Sequence, residues 1–346
     1  MRHFVCSIGL LMAVMQCVFA AGNSLLVTPS RSHLTPDEVA VVVNDADALS
    51  VKVGEYYRVA RGIPAKNILH VTLPTAGKAK LGLADFTRLK WEIETQLNAS
   101  IQALVLVWKT PYAVDCNSIT SALSFGYDPE QCKNTCAAGK LNPYFNTASR
   151  KPFTDVGIRL TMLLPTETFA QAKSLIDRGV VSDMGVFRST AYYLNTSDKA
   201  RSIRAQYFPP NGASIPGSGL GIMTMQSDKL LGAQDVMIYQ TGLPWVEGLE
   251  TLKFLPGALA DHLTSFGGDL NGKHQATALH WLNAGATASY GTVSEPCNHW
   301  QKFPHPMVML KWYSMGNSAI EAYWKSVAWP MQGLFVGEPL AAPFGR

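Results

Sequence analysis

Charge is scarce in this chain. Only 16% of its 346 residues are Asp, Glu, Lys or Arg, and 29 cations against 25 anions leave a formal +4. No dense Lys/Arg block interleaved with aromatics occurs, so the footprint that nucleic-acid binding requires is missing. Gly257, Gly267 and Gly268 do not form a Gly-x-Gly-x-x-Gly fingerprint, and none follows a strand-like run elsewhere. Beyond the N-terminus no apolar run approaches the roughly 20 residues of a membrane-spanning helix. Cysteine is sparse as well, at six residues. Cys132 and Cys136 stand four apart, but their later partners are Cys297 and scattered histidines, which is not a zinc pattern. No metal and no cofactor is expected.

What is present begins with a targeting segment. Arg2 and His3 give a short basic start, Phe4 to Val18 is apolar apart from Ser7 and Gln16, and Val18-Phe19-Ala20 fits the small-residue cleavage rule. Residues 1–20 therefore read as a signal peptide and residues 21–35 as an N-terminal arm. The expected location is periplasmic or extracellular, with no transmembrane span left after cleavage. Export removes Cys6 and Cys17. The remaining Cys116, Cys132, Cys136 and Cys297 are an even set in an oxidising compartment, so they read as disulfides with three pairings open.

The mature chain alternates strand-like and helix-like runs. Glu38 to Val43 and Ile101 to Trp108 are apolar on both faces, as central parallel strands are. Asn67 to Leu73 is a further strand. Ser50 is a candidate N-cap for a helix ending near Gly62 and Pro64, and Phe86, Leu89, Ile93 and Leu97 share one helical face over 84–98. Residues 111–152 break the pattern and carry three of the four mature cysteines, which marks a disulfide-bearing excursion with a short helix near 118–124. Alternation then resumes. Strands are expected at 158–164, 189–194, 222–225, 236–240, 252–255, 286–290 and 334–336. Helices are expected at 168–178 (ended by Gly179), from Thr196 or Ser197 to about Tyr207, at 274–283 and at 306–327. The fold class is α/β, with two consecutive doubly wound, mainly parallel units at 36–150 and 151–346.

Several motifs resemble a secreted bacterial family. They are Val41-Val-Val-Asn44, Glu55-Tyr-Tyr57, Arg61-Gly-Ile-Pro64, Cys116-Asn-Ser-Ile-Thr-Ser121, Leu175-Ile-Asp-Arg-Gly179, Thr196-Ser-Asp198, Glu295-Pro-Cys297, Glu321-Ala-Tyr-Trp324 and Gly333-Leu-Phe-Val-Gly-Glu-Pro339. The run Leu255-Pro-Gly-Ala-Leu-Ala-Asp-His-Leu-Thr-Ser265 belongs with them. Together they resemble an uncharacterised family of bacteria that possess exosortase. That resemblance implies an envelope context, with surface proteins or extracellular polysaccharide as partners. The opening strand, the Tyr-Tyr helix and the closing Gly337-Glu338-Pro339 segment are also similar to gingipain-type, caspase-fold cysteine peptidases. Those enzymes carry His after one strand and Cys after the next. Here the matching positions read Thr241-Gly242-Leu243-Pro244 and Phe254-Leu-Pro-Gly-Ala258, so the dyad is not matched.

Ligands of open α/β sheets gather outside the carboxyl ends of the strands. Two windows concentrate capable side chains there: Asp261, His262, Thr264 and Ser265, then Ser294, Glu295, Cys297, His299 and Trp300. His262 is the candidate base for Cys297 or Ser265 as nucleophile, with Gly267 and Gly268 offering backbone N–H donors to an oxyanion. Asp261, Glu295, His299 and Trp300 are the candidate binding residues. His262 and Glu295 should then open onto one concavity. Against a hydrolase stand the bland roles: Cys297 in a bridge, Asp261-His262 as an ordered polar pair, and Glu295-Pro296 as a turn. Three functions stay open: an exported envelope accessory protein, a cysteine- or serine-type hydrolase, or a binding module for a polypeptide signal or glycan.

Overall fold

A computed structural model describes residues 33–73, 77–185 and 188–345. The signal-peptide expectation, and nearly all of the arm, lie outside the described residues. The first half of the chain supplies β1 (Val39–Asn44), α1 (Ala48–Arg61), β2 (Ile68–Val71), α2 (Leu83–Gln96) and β3 (Ala103–Val107). The excursion holds a small hairpin, β4 (Ala113–Val114) and β5 (Asn117–Ser118), followed by α3 (Ile119–Phe125), α4 (Pro129–Lys133) and α5 (Pro152–Val156). Next come β6 (Leu160–Leu163), α6 (Phe169–Ser182), β7 (Ser189–Asn195), β8 (Ser214–Ile215), β9 (Leu220–Gln226), β10 (Val236–Thr241) and β11 (Phe254–His262). The chain closes with α7 (Ala278–Ala284), β12 (Ala288–Thr292), α8 (Pro306–Ser314), α9 (Ala319–Ser326) and β13 (Gly333–Gly337).

One eleven-stranded sheet runs through the molecule in the order β2-β1-β3-β6-β13-β12-β11-β10-β7-β9-β8. Each half winds outward from its first strand in both directions, β2-β1-β3-β6 on one side and β9-β7-β10-β11-β12 on the other. All pairings in these two runs are parallel. β13 joins them, parallel to β6 and antiparallel to β12. The two halves therefore point in opposite directions, and their carboxyl ends lie on opposite edges of the sheet. This is the expected mainly parallel α/β class. The central strands are buried throughout because helices cover both faces: α1, α6 and α7 pack on one side, α3, α8 and α9 on the other.

Four local expectations are corrected by the structure. The α1 N-cap is Asp47, whose carboxylate accepts the Leu49 N–H at 2.9 Å; Ser50 lies inside the first turn and bonds Asn44 N and Val107 O instead. Gly179 does not end α6, which continues to Ser182. A Cβ at Gly179 would collide with the Glu338 carboxylate, so the glycine is there for close approach, and it lets buried Glu338 reach Arg61. The segment after β7 is not a regular helix, because only a 3-10 turn forms at Ile203–Tyr207. Its Arg204 is drawn inward to Asp261, while Thr196 bonds Ser202 and the Gly242 carbonyl. The last long helix is two, α8 and α9, with Ser318 and Glu321 forming a capping box at the start of the second.

β11 is the strand that positions the candidate site. Pro256-Gly257 is not a turn that ends it. Gly257 takes φ +89 inside the strand, and the register against β10 jumps from Val236↔Phe254 to Ile238↔Leu259. Five residues of β11 thus oppose two of β10, a bulge that sets the phase of the pleat beyond it. The strand then continues to His262, eight residues past Phe254.

Candidate functional site

The pleat puts Asp261 and His262 on opposite faces of β11, and both faces are covered. On the side of α8, Asp261 is fully buried and receives Arg204 Nη1 at 2.5 Å and Gln240 Nε2 at 2.9 Å. Burial pushes its carboxyl up, opposed by the Arg204 charge and the Gln240 amide. Arg204 is itself 1% exposed and also donates to the Thr241 and Pro304 carbonyls. The group is a closed ionic plug beneath the strand ends.

On the side of α7, His262 is 1% exposed and packs against Trp281. Trp281 Nε1–H donates to His262 Nδ1 at 2.8 Å, which makes that nitrogen the acceptor. His262 Nε2 lies 3.1 Å from the Ala276 carbonyl, which can only accept, so Nε2 carries the proton. Both ring nitrogens are occupied by protein. Burial pushes the imidazole down to about 3, so it is neutral across the physiological range.

Beyond His262 the chain turns to the surface, and there a cavity of ≈ 210 Å3 opens. Its walls come from the loops after three strands: Ala200 and Arg201 after β7, Leu263 to Ser265 after β11, and Pro296 to Asn298 after β12. The two windows singled out in the sequence therefore converge on one concavity, but not through the expected pair. Neither His262 nor Glu295 is on its wall.

The walls are braced from behind. Thr264 Oγ1 donates to Gln275 Oε1 at 2.7 Å, Phe266 N donates to the same oxygen at 3.0 Å, and Thr292 Oγ1 donates to the Ser265 carbonyl at 2.9 Å. Arg201 is held by Asp198 at 2.8 Å. The Ser265 hydroxyl makes no hydrogen bond among the described residues, and no base reaches it. Gly268 N–H is spent on the Thr292 carbonyl at 2.9 Å, so it offers nothing to an oxyanion.

The four cysteines among the described residues are all bridged, Cys116 to Cys132 and Cys136 to Cys297. The second bridge spans 161 residues and ties the excursion to the cavity wall. A sulfur in that bond is not a thiolate, so Cys297 has no nucleophile to offer in this state. Glu295 holds the turn that presents it: Glu295 Oε1 accepts the Cys297 N–H at 2.9 Å, and Cys297 sits at φ +56. His299 packs on Trp329 with ring centroids 5.7 Å apart, and Trp300 lies 5.2 Å from both Tyr207 and His305. Their rings serve loop packing. Of the expected groups, Ser265 and Cys297 line the cavity, while Asp261, His262, Glu295, His299 and Trp300 support the surroundings. Arg201 is the wall cation that sequence reasoning passed over; its signal was Asp198, three residues earlier, just past a strand end. No group of three or more His, Cys, Asp or Glu able to hold a metal occurs among the described residues.

Sheet and cavity together define an α/β protein with a cleft at the carboxyl ends of a mainly parallel sheet. Its structure is similar to the complex of the pro- and mature domains of RgpB from Porphyromonas gingivalis, with a TM-score of 0.44 and 10% identity, covering 88% of this chain and 79% of that chain. No family model and no curated protein matches the chain. The α/β assignment rests on the strand order and directions of the sheet itself.

Proposed function

We propose that this is an exported accessory protein of the cell envelope whose cleft binds a polypeptide or glycan segment without cleaving it. The observation that carries the proposal is the state of His262. A general base needs a nitrogen within reach of the proton it takes. Here one nitrogen accepts from Trp281 and the other donates to Ala276, on a ring sealed from the cavity. Two disulfides fit an oxidising compartment. The sequence resemblance to the exosortase-associated family points to surface-protein sorting or exopolysaccharide biogenesis as the process served.

The test is complementation of a deletion strain, scored by surface-protein anchoring and exopolysaccharide yield, beside labelling with fluorophosphonate and iodoacetamide probes. A binding cleft predicts that Ser265→Ala restores the phenotype and Ser265→Trp, which fills the cavity, does not. The native protein should take up neither probe. Labelling that disappears in Ser265→Ala, together with failed complementation by that variant, would establish a hydrolase instead. A deletion without effect on anchoring or polymer would remove the envelope role.

A further inference from the structure

The strands of the first half end at the opposite edge of the sheet, and a second cavity lies there. It measures ≈ 270 Å3 and opens between α6 and α7, just past the end of β6. Pro165, Ala170, Leu175, Leu279 and Leu282 give it apolar walls, and Arg178 supplies a cation. The spacing of α6 explains the arrangement: Gln171, Ser174, Leu175 and Arg178 fall at intervals of three and four and share the face turned to α7.

Arg178 is only partly accounted for by the fold. Its Nη2 donates to the Leu282 and Ala286 carbonyls, at 2.8 and 2.7 Å, where α7 ends. Its buried Nε has no partner, Nη1 donates to no described residue, and among the described residues no carboxylate lies within ion-pair distance of the guanidinium. Glu167 on the wall is already taken by Lys109 at 2.8 Å. Burial lowers the Arg178 guanidinium to about 10, which still leaves it charged at neutral pH. Enclosed charges are normally paired, and a half-buried cation beside apolar walls lacks the anion that would offset its desolvation.

We infer that this cavity is a second binding site, for a small amphipathic carboxylate whose head accepts from Arg178 Nη1 and whose apolar body lies against Leu175, Leu279 and Leu282. Its volume falls just below the usual range for drug-sized ligands, which fits a short acyl chain or a single apolar side chain. The same chemistry is offered by a free fatty acid and by the C-terminal residue of a peptide.

Titration calorimetry of the full mature protein separates these. The ligands are octanoate against octanamide, and acetyl-Ala-Ala-Leu against its C-terminal amide. At least one acid should bind, and its amide should bind about tenfold or more weakly, as loss of a charge-assisted hydrogen bond implies. The tighter acid identifies the source. Arg178→Met should abolish the preference for the acid. Because that change also unties the end of α7, Ala170→Phe provides a second arm: it fills the cavity from the exposed side of α6 and should abolish binding while the circular dichroism spectrum stays unchanged. Absence of binding by both acids, equal binding of acid and amide, or binding unaffected by Ala170→Phe would overturn the assignment. None of these outcomes bears on the cleft at the end of β11.

Discussion

Asp261-His262 and Thr264-Ser265 are neighbours in one short window of sequence, yet they belong to different parts of the molecule. The first pair is locked between the two helical layers, with an ionic partner on one face and an indole on the other. The second pair begins the wall of an open cleft. By residue type the two pairs are equally suited to chemistry. The difference is made by where β11 stops: within the strand each side chain meets a covered face, Leu263 and Thr264 are still buried just past it, and Ser265 is the first residue to reach the surface. Of the four polar side chains in this window, Asp261, His262 and Thr264 are buried and spent on protein partners, and the Ser265 hydroxyl alone is left available.

Changes to the buried pair should be costly. Asp261→Ala leaves Arg204 charged and enclosed without its carboxylate, and should destabilise by about 3–5 kcal/mol in urea unfolding. A loss below about 1 kcal/mol would mean that water reaches the plug and the two pairs differ less than their burial implies.

His262 makes the next prediction through pH. Its pKa falls from an ordinary 6.5 in the unfolded chain to about 3 in the folded one. Between those values the unfolded state binds the extra proton, so the contribution is intact above pH 6.5 and is lost progressively as pH falls towards 3. The full loss is about 5 kcal/mol. The difference in stability between the wild type and His262→Gln, followed from pH 7 to 4, should shrink as acid removes the wild type's advantage. A constant difference would break the comparison.

The bridge on the cleft wall comes third. Cys136→Ser with Cys297→Ser opens a link across 161 residues and should cost about 2–4 kcal/mol. Melting should show the loss, and it should be matched by reducing the wild type's second bridge. At the other end of the scale, Ser265→Ala removes a hydroxyl without a partner and should change stability by less than about 0.5 kcal/mol.

Much of the fold is legible in the residues alone. Val39 to Val43 and Ala103 to Val107 are apolar on both faces, and only a doubly covered strand has that composition. A short helix near 118–124 is expected within the excursion and forms at Ile119–Phe125, and the even set of Cys116, Cys132, Cys136 and Cys297 is expected to be oxidised and is. The candidate site was legible as a location and not as a mechanism. Which way His262 points depends on the bulge around Gly257, whose length is set by pairing with β10 and not by local pattern. The missing helix before Tyr207 has a similar cause: Arg204 is claimed by a carboxylate 57 residues away, which no propensity records. The closing strand β13 merges the halves into one sheet through a single antiparallel pairing, and a five-residue apolar run does not declare its direction.

Whether the histidine at the end of β11 is spent on structure can be decided by nitrogen-15 NMR of histidine-labelled protein. The signal lost in His262→Gln identifies the ring. The expected result is the neutral Nε2–H tautomer, unchanged from pH 7 down to about 4, well above the value near 3 at which it would titrate. A ring that titrates between pH 6 and 7, or whose proton sits on Nδ1, would contradict the structural role and return His262 to the cleft as a working base.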